Sequence, residues 1–202
     1  LNNNEFIVNL QPKISLKDNT IVGAEALVRW QDPNKGLIPP DEFIPFFEKN
    51  GFITKLDHYV FEKVCSMIRK WIDNGETPIP VSVNFSRANL NNIDFLEKYR
   101  MLRNKYNIPA KLLEIELTET LVFENLQKLI NIIDQIHEEG FQCSLDDFGS
   151  GYSSLNMLKE IKVVTLKLDR AFFSSPNADN IAENHVIESI VNLAKKLNMN
   201  SI

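Results

Sequence analysis

The chain predicts an α/β fold built on a mainly parallel sheet, either an open doubly wound sheet or a closed barrel. Three observations lead there. Short apolar runs of strand length alternate with longer runs whose apolar residues recur at three and four spacing. No low-complexity linker or second compositional regime interrupts that series, so residues 1–202 read as a single domain, long enough for one sizeable core. No Gly-x-Gly-x-x-Gly follows the first strand and there is no P-loop, which weighs against a nucleotide-binding open sheet.

Taken in order, "FIVNLQPKISL" (6–16) and "TIVGAEALVRW" (20–30) read as two strands joined by the turn "KDN". The segment 39–51 opens on proline and acid and closes on glycine, as helices do. A second helix over 53–75 carries Leu56, Tyr59, Val60, Val64, Met67, Ile68 and Trp71 on one stripe and also ends at Asn-Gly. Then follow the strand "PVSVNFS", a helix over 92–106, the strand "LLEIELTE" and a helix over 124–139 stopped by Gly140. "FQCSLDDF" and "VVTLKLD" are strands, 178–197 is a helix, and Ser201-Ile202 opens a further apolar run.

Composition narrows the function classes. A hydrophobic fraction of 44% and a charged fraction of 24% are those of an ordinary globular domain. No apolar run approaches the roughly 18 residues of a membrane span, and "LNNNEF" lacks the order of a secretory signal. Cys65 and Cys143 sit in apolar periodic segments and read as buried thiols, which fits a reducing cytoplasm. A net charge of −5 weighs against DNA or general nucleic-acid binding, but not against a small phosphorylated ligand held through metal ions.

Polar residues interrupt the strands at one recurring place. Glu25 lies in "VGAEALV", Asn84 ends "VSVN", Glu116 sits in "IELTE", Asp146 and Asp147 close "CSLDD", and Lys167 lies in "TLKLD". A barrel or parallel sheet gathers the carboxyl ends of its strands on one rim. Acids, an amide and an amine converging there need a cation, and their oxygens suit Mg²⁺ or Mn²⁺. Each residue also has a plainer reading. Glu25 could face water, Asn84 could end its strand and cap "SRANL", and Glu116 and Glu119 could alternate with Glu114 on a solvated strand. Lys167 could be a strand-edge lysine, and the aspartate pair could start a turn. His58, His137 and His185 lie on helices and take surface or packing roles.

The series "LQP" (10–12), "AEALVRW" (24–30), "DPNKGLIPPDEFIP" (32–45), "VSVNFS" (81–86), "ELTET" (116–120), "DDFGSGYSSL" (146–155) and "TLKLDR" (165–170) resembles the EAL domains that hydrolyse the bacterial messenger cyclic di-GMP. The tripeptide alone is weak, whereas the ordered series is specific and covers the chain from about residue 6 onward. The resemblance implies a modified TIM (β/α)8 barrel of EAL type. It also implies a phosphodiesterase in which water attacks one phosphodiester with the help of two metal ions, opening the ring to linear pGpG.

Carried over by residue, the resemblance makes Glu25, Asn84, Glu116 and Asp146 ligands of a first Mg²⁺ or Mn²⁺ ion, with Asp146 bridging to a second that Asp147 also holds. Glu25, Asp147 and Lys167 form the catalytic set, Lys167 orienting the attacking water. Gln11, Leu27 and Arg29 line the substrate, Arg29 on a phosphate. Glu119 anchors the "DFGSGYSS" loop and couples it to a dimer interface, while Gly149 and Gly151 let that loop turn and move. A homodimer, a cytoplasmic location and sensory or GGDEF domains outside these residues are further implications.

The family pattern continues after the 178–197 helix with a strand bearing an "AEGVE"-like glutamate and a last strand with a "QGY"-like motif. Neither is among these 202 residues, so the last two strands are largely absent here, and the protein is expected to continue past Ile202. The main rival reading is a non-catalytic EAL receptor that binds cyclic di-GMP and signals through contacts. Retention of Glu25, Asn84, Glu116, Asp146, Asp147 and Lys167 favours the enzyme. A scaffold with a vestigial site is weaker still, because the "DFGSGYSSL" loop is intact.

Overall fold

The computed structural model describes residues 5–119, 126–150, 155–173 and 181–202. They fall into two compact units, 1–114 and 115–202, with the division inside one strand.

In the first unit, β1 (Phe6–Ile14) and β2 (Ile21–Asp32) form an antiparallel hairpin in which Gln11 faces Glu25. Its turn is built by Asp18, whose Oδ1 accepts the Thr20 hydroxyl at 2.9 Å, and by Asn19 in the left-handed region (φ 57°). A strand not anticipated from the sequence, β3 (Gly36–Ile38), folds back on β2. Asp32 makes that bend by accepting the backbone N–H groups of Asn34 and Lys35, both at 2.8 Å. Three residues are too few to leave a periodic signal.

The expected first helix is α1 (Pro40–Asn50), ended by Gly51 at φ 75°, and the second is α2 (Ile53–Asp73). They cover one end of the hairpin with aromatic rings. Phe6 stacks on Trp30 at 5.4 Å, Phe43 meets Trp30 edge-on at 5.8 Å, and Phe47 packs on Phe52 at 4.8 Å. The Tyr59 hydroxyl ties α2 to the Phe6 carbonyl at 2.8 Å. β4 (Val81–Asn84) runs parallel to β2, placing Ser82 beside Glu25. The helix expected over 92–106 is shorter than that. A 3₁₀ turn occupies Arg87–Asn91, and α3 spans only Glu97–Tyr106.

The division falls in β5 (Leu113–Thr118), five of whose six residues are buried. In the second unit, α4 (Leu126–Glu138) buries Leu129, Ile132, Ile133 and Ile136. β6 (Gln142–Phe148) pairs in parallel with β7 (Thr165–Leu168), and β7 with β8 (Asn200–Ser201). A short helix, α5 (Leu155–Leu158), a 3₁₀ turn over Arg170–Phe173 and α6 (Ile181–Lys196) complete the unit. The expected positions 124–125 and 178–180 of two helices, and Gly151 to Ser154 of the loop, lie outside the described residues. Cys65 and Cys143 are both buried free thiols, and burial pushes Cys65 up to about 12. No helix among the described residues is long and apolar enough to cross a membrane.

One buried acid in the first unit sets a pH dependence. Burial pushes the Asp57 carboxyl up to about 6, against hydrogen bonds from Ser86 and Asn89 that favour its charge; the Glu48 charge adds to the rise. Tyr99, buried nearby, is raised well above its ordinary value, chiefly by burial and then by the Asp57 charge. Between the ordinary carboxylate value of 3.8 and about 6, the folded chain holds a proton that the unfolded chain has released. Stability from this residue is therefore greatest below about pH 4 and falls by up to about 3 kcal/mol as pH rises through 6. Urea unfolding of Asp57→Asn from pH 4 to 8 is expected to lack this decline relative to the unmodified protein, and an unchanged pH profile would contradict it.

Candidate active site

The polar residues singled out above divide between the two units, and each set has its own geometry. In the first, Glu25, Leu27 and Arg29 alternate along β2 and so share one face, with Gln11 opposite Glu25 on β1. The Asn84 side chain donates to Glu25 Oε1 at 3.1 Å. Its expected alternative role as a cap is not observed, since Ser86 holds the cap position of the following turn and makes no side-chain cap bond. Glu25 is only half-buried, and Arg29 Nη1 donates to the Val28 carbonyl at 2.8 Å.

In the second unit, the solvated-strand alternative for β5 fails. Glu116 is fully buried and Glu119 is 1% exposed. A buried carboxylate needs a cation or a set of donors, and Glu116 has one in Lys167, whose Nζ donates to Glu116 Oε2 at 2.8 Å. The same ammonium donates to Asp146 Oδ2 at 2.9 Å. Lys167 is thus no strand-edge lysine: its side chain is 13% exposed and lies between two acids. Glu116 and Asp146 also present carboxylate oxygens within 4.8 Å of one another. Oxygen donors so close suit a hard divalent cation such as Mg²⁺ or Mn²⁺, and the donor chemistry of the residues present fits one.

The adjacent aspartates occupy a break in β6. Its pairing with β7 slips between Leu145 and Phe148, and Asp147 adopts the left-handed region at φ 57°, its N–H donating to Asp146 Oδ1 at 2.9 Å. A bulge of this kind releases a strand from strict alternation and re-aims its side chains. Burial raises the Asp147 carboxyl above the usual range, the charges of Asp146 and Asp169 add to it, and Lys167 opposes them. Asp169 received no role from the sequence, although it directly follows β7, two residues after Lys167. Its N–H donates to the Phe148 carbonyl at 3.0 Å and its Oδ1 accepts the Ala171 N–H at 2.7 Å, linking the ends of β6 and β7.

Gly149 follows directly. Its N–H donates to Glu119 Oε2 at 2.8 Å, its φ is 94°, and the face where a Cβ would project is filled by the Phe172 ring. Glycine is required here on both counts.

The EAL domain family model matches residues 1–202. The chain belongs to the EAL domain family. It is 34% identical over its whole length to the cyclic di-GMP phosphodiesterase PdeR of Escherichia coli, of which it covers 30%. It is 33% identical to the cyclic di-GMP phosphodiesterase NbdA of Pseudomonas aeruginosa, matching 98% of this chain and 25% of NbdA. This EAL domain therefore spans under a third of the length of those relatives. Among solved structures, the PaMucR phosphodiesterase in complex with c-di-GMP is 30% identical, with a TM-score of 0.91 over 99% of this chain and 81% of that one. The EAL enzyme Bd1971 in its cGMP-bound form gives 28% and 0.88, covering 99% of this chain and 55% of that one. The expected EAL-type α/β barrel class is borne out by these likenesses.

In this EAL domain, Gly149→Ala is expected to cost about 2 kcal/mol or more, from backbone strain and overlap with Phe172. Phe172→Ala in the same chain should return part of that cost by removing the overlap alone. A urea double-mutant cycle reads the coupling, and strictly additive effects would contradict the packing described.

Proposed function

We propose that this EAL domain is a metal-dependent phosphodiesterase that opens cyclic di-GMP to linear pGpG, as its cyclic di-GMP phosphodiesterase relatives suggest. The observation that carries the reading is the Lys167 ammonium held between Glu116 and Asp146. This arrangement keeps one amine among carboxylates at the ends of adjacent strands.

Glu25, Asn84, Glu116 and Asp146 are assigned to one Mg²⁺ or Mn²⁺ ion, and Asp146 with Asp147 to a second. This assignment is supported by family membership and by the intact series of motifs across residues 1–202. When bound, such ions lower the pKa of a water and neutralise charge developing on the phosphoryl group. The chain's own residues supply the rest. Lys167, held between two carboxylates, is assigned to orient the attacking water. Water oxygen bonds to phosphorus as one bridging P–O bond breaks, leaving a phosphate monoester on one nucleotide and a hydroxyl on the other. Gln11, Leu27 and Arg29 are assigned to substrate, with Arg29 rotating from the Val28 carbonyl to a phosphate oxygen. Glu119 acts through Gly149 to hold the turn after Asp146-Asp147 in place. A homodimer, flanking sensory or GGDEF domains and a cytoplasmic setting complete the proposal.

Chromatography of cyclic di-GMP incubated with the protein and Mg²⁺ is expected to yield linear pGpG, and Glu25→Ala is expected to yield none. Lys167→Met should lower kcat by about a hundredfold or more. Retention of intact cyclic di-GMP without product would favour a receptor, and absence of binding a scaffold.

A further inference from the structure

Asp57 lies on α2, is buried, and has no part in the function proposed above. A charged carboxylate is costly in that position, and an apolar residue would avoid the cost unless its acceptor oxygens are needed. Those oxygens serve one short segment. Asp57 Oδ2 accepts the Ser86 N–H at 3.0 Å and the Asn89 side-chain amide at 2.7 Å, and the Ser86 hydroxyl adds a further bond. Asn89, itself buried, closes the ring by donating its backbone N–H at 3.0 Å and its side-chain amide at 3.1 Å to the Ser86 carbonyl. Ser86 is thus held at its N–H, its hydroxyl and its carbonyl.

Ser86 stands two residues after Asn84, the last residue of β4. Between them Phe85 is buried, its ring 5.7 Å from that of Phe95 and 5.5 Å from that of Tyr99. Asn84 itself is exposed, and its side chain reaches Glu25 at 3.1 Å. The strand ladder ends at this residue, so the backbone that aims its amide is set from the far side, by the tether at Ser86.

We propose that Asp57 is a positioning residue for Asn84: by fixing Ser86 it holds the amide oxygen of Asn84 where, on the function proposed above, it ligates a divalent ion. Outer groups that orient ligands of this kind typically contribute about 10- to 100-fold in metal affinity. Asp57→Ala removes the acceptor, whereas Asp57→Asn keeps one oxygen for the Ser86 N–H and the Asn89 amide. Ser86→Pro tests the same tether from the other end. It removes the N–H and hydroxyl donors at a residue whose φ of −72° already suits proline.

The experiment is a Mn²⁺ titration of the protein followed by electron paramagnetic resonance, with circular dichroism as the check on folding. Asp57→Ala and Ser86→Pro are expected to weaken Mn²⁺ binding by about 10- to 100-fold, and Asp57→Asn by less than about threefold. In turnover, the loss in Asp57→Ala should appear as a raised metal requirement, with the KM for cyclic di-GMP little changed. Should Asp57→Ala prove unfolded, Ser86→Pro carries the test alone. Folded variants that bind Mn²⁺ as the unmodified protein does would overturn the inference, as would an Asp57→Asn as weak as Asp57→Ala. An unmodified protein that binds no Mn²⁺ would overturn the proposed function itself, and this inference with it.

Discussion

Two buried glutamates on one strand, each with its own lysine, constrain the rest of this molecule. β5 is covered on both sides, so Glu114 and Glu116 cannot reach water as they would on a half-exposed strand. Glu114 meets Lys13 at 3.5 Å, within the first unit. Glu116 meets Lys167 at 2.8 Å, within the second. The two pairs differ in what else they face. Lys13 stands beside Gly23 on the β1–β2 ladder. Lys167 is shared with Asp146, and the Asp147 carboxyl is raised by burial and then by the charges of Asp146 and Asp169. One ammonium offsets part of that negative charge. A divalent cation would offset the remainder, and that surplus, rather than any single ligand, is what makes the second cluster a candidate for chemistry.

Strand geometry explains how so much charge gathers without breaking the fold. Adjacent aspartates in an unbroken strand point to opposite faces, one of which would be apolar core. The bulge at Asp146-Asp147 relieves this, and the left-handed turn at Asp147 leads straight into Gly149, held between the Glu119 carboxylate and the Phe172 ring. The same logic operates in the first unit at lower charge. There Asn84 is anchored to Glu25 on one side and, through Ser86, to Asp57 on the other.

Much of this was legible in the sequence because it rests on period and punctuation. The long helices announced themselves by apolar spacing and terminal glycines, and α1 and α2 match the segments read for them to within two residues at either end. The short elements did not. β3 and α5 are too brief to show a period, and the 3₁₀ turn over Arg87–Asn91 competes with helix signals that the sequence extends over 92–106. At the site, acids interrupting apolar runs were visible as anomalies. Their partners were not, since Lys167 bridging Glu116 and Asp146 joins residues 51 and 21 positions apart. Asp57 left no signal either: within an amphipathic helix it reads as one more polar residue, and only its burial and its bonds to Ser86 and Asn89 set it apart.

On the function proposed above, a divalent ion joins the carboxylates around Lys167. Thermal unfolding of the protein across a Mg²⁺ titration tests this most directly, because a ligand that binds only the folded state raises the midpoint with its concentration. The midpoint should climb through the millimolar range in the unmodified protein and stay flat in Glu116→Gln. A midpoint indifferent to Mg²⁺ and Mn²⁺ in the unmodified protein would contradict the account.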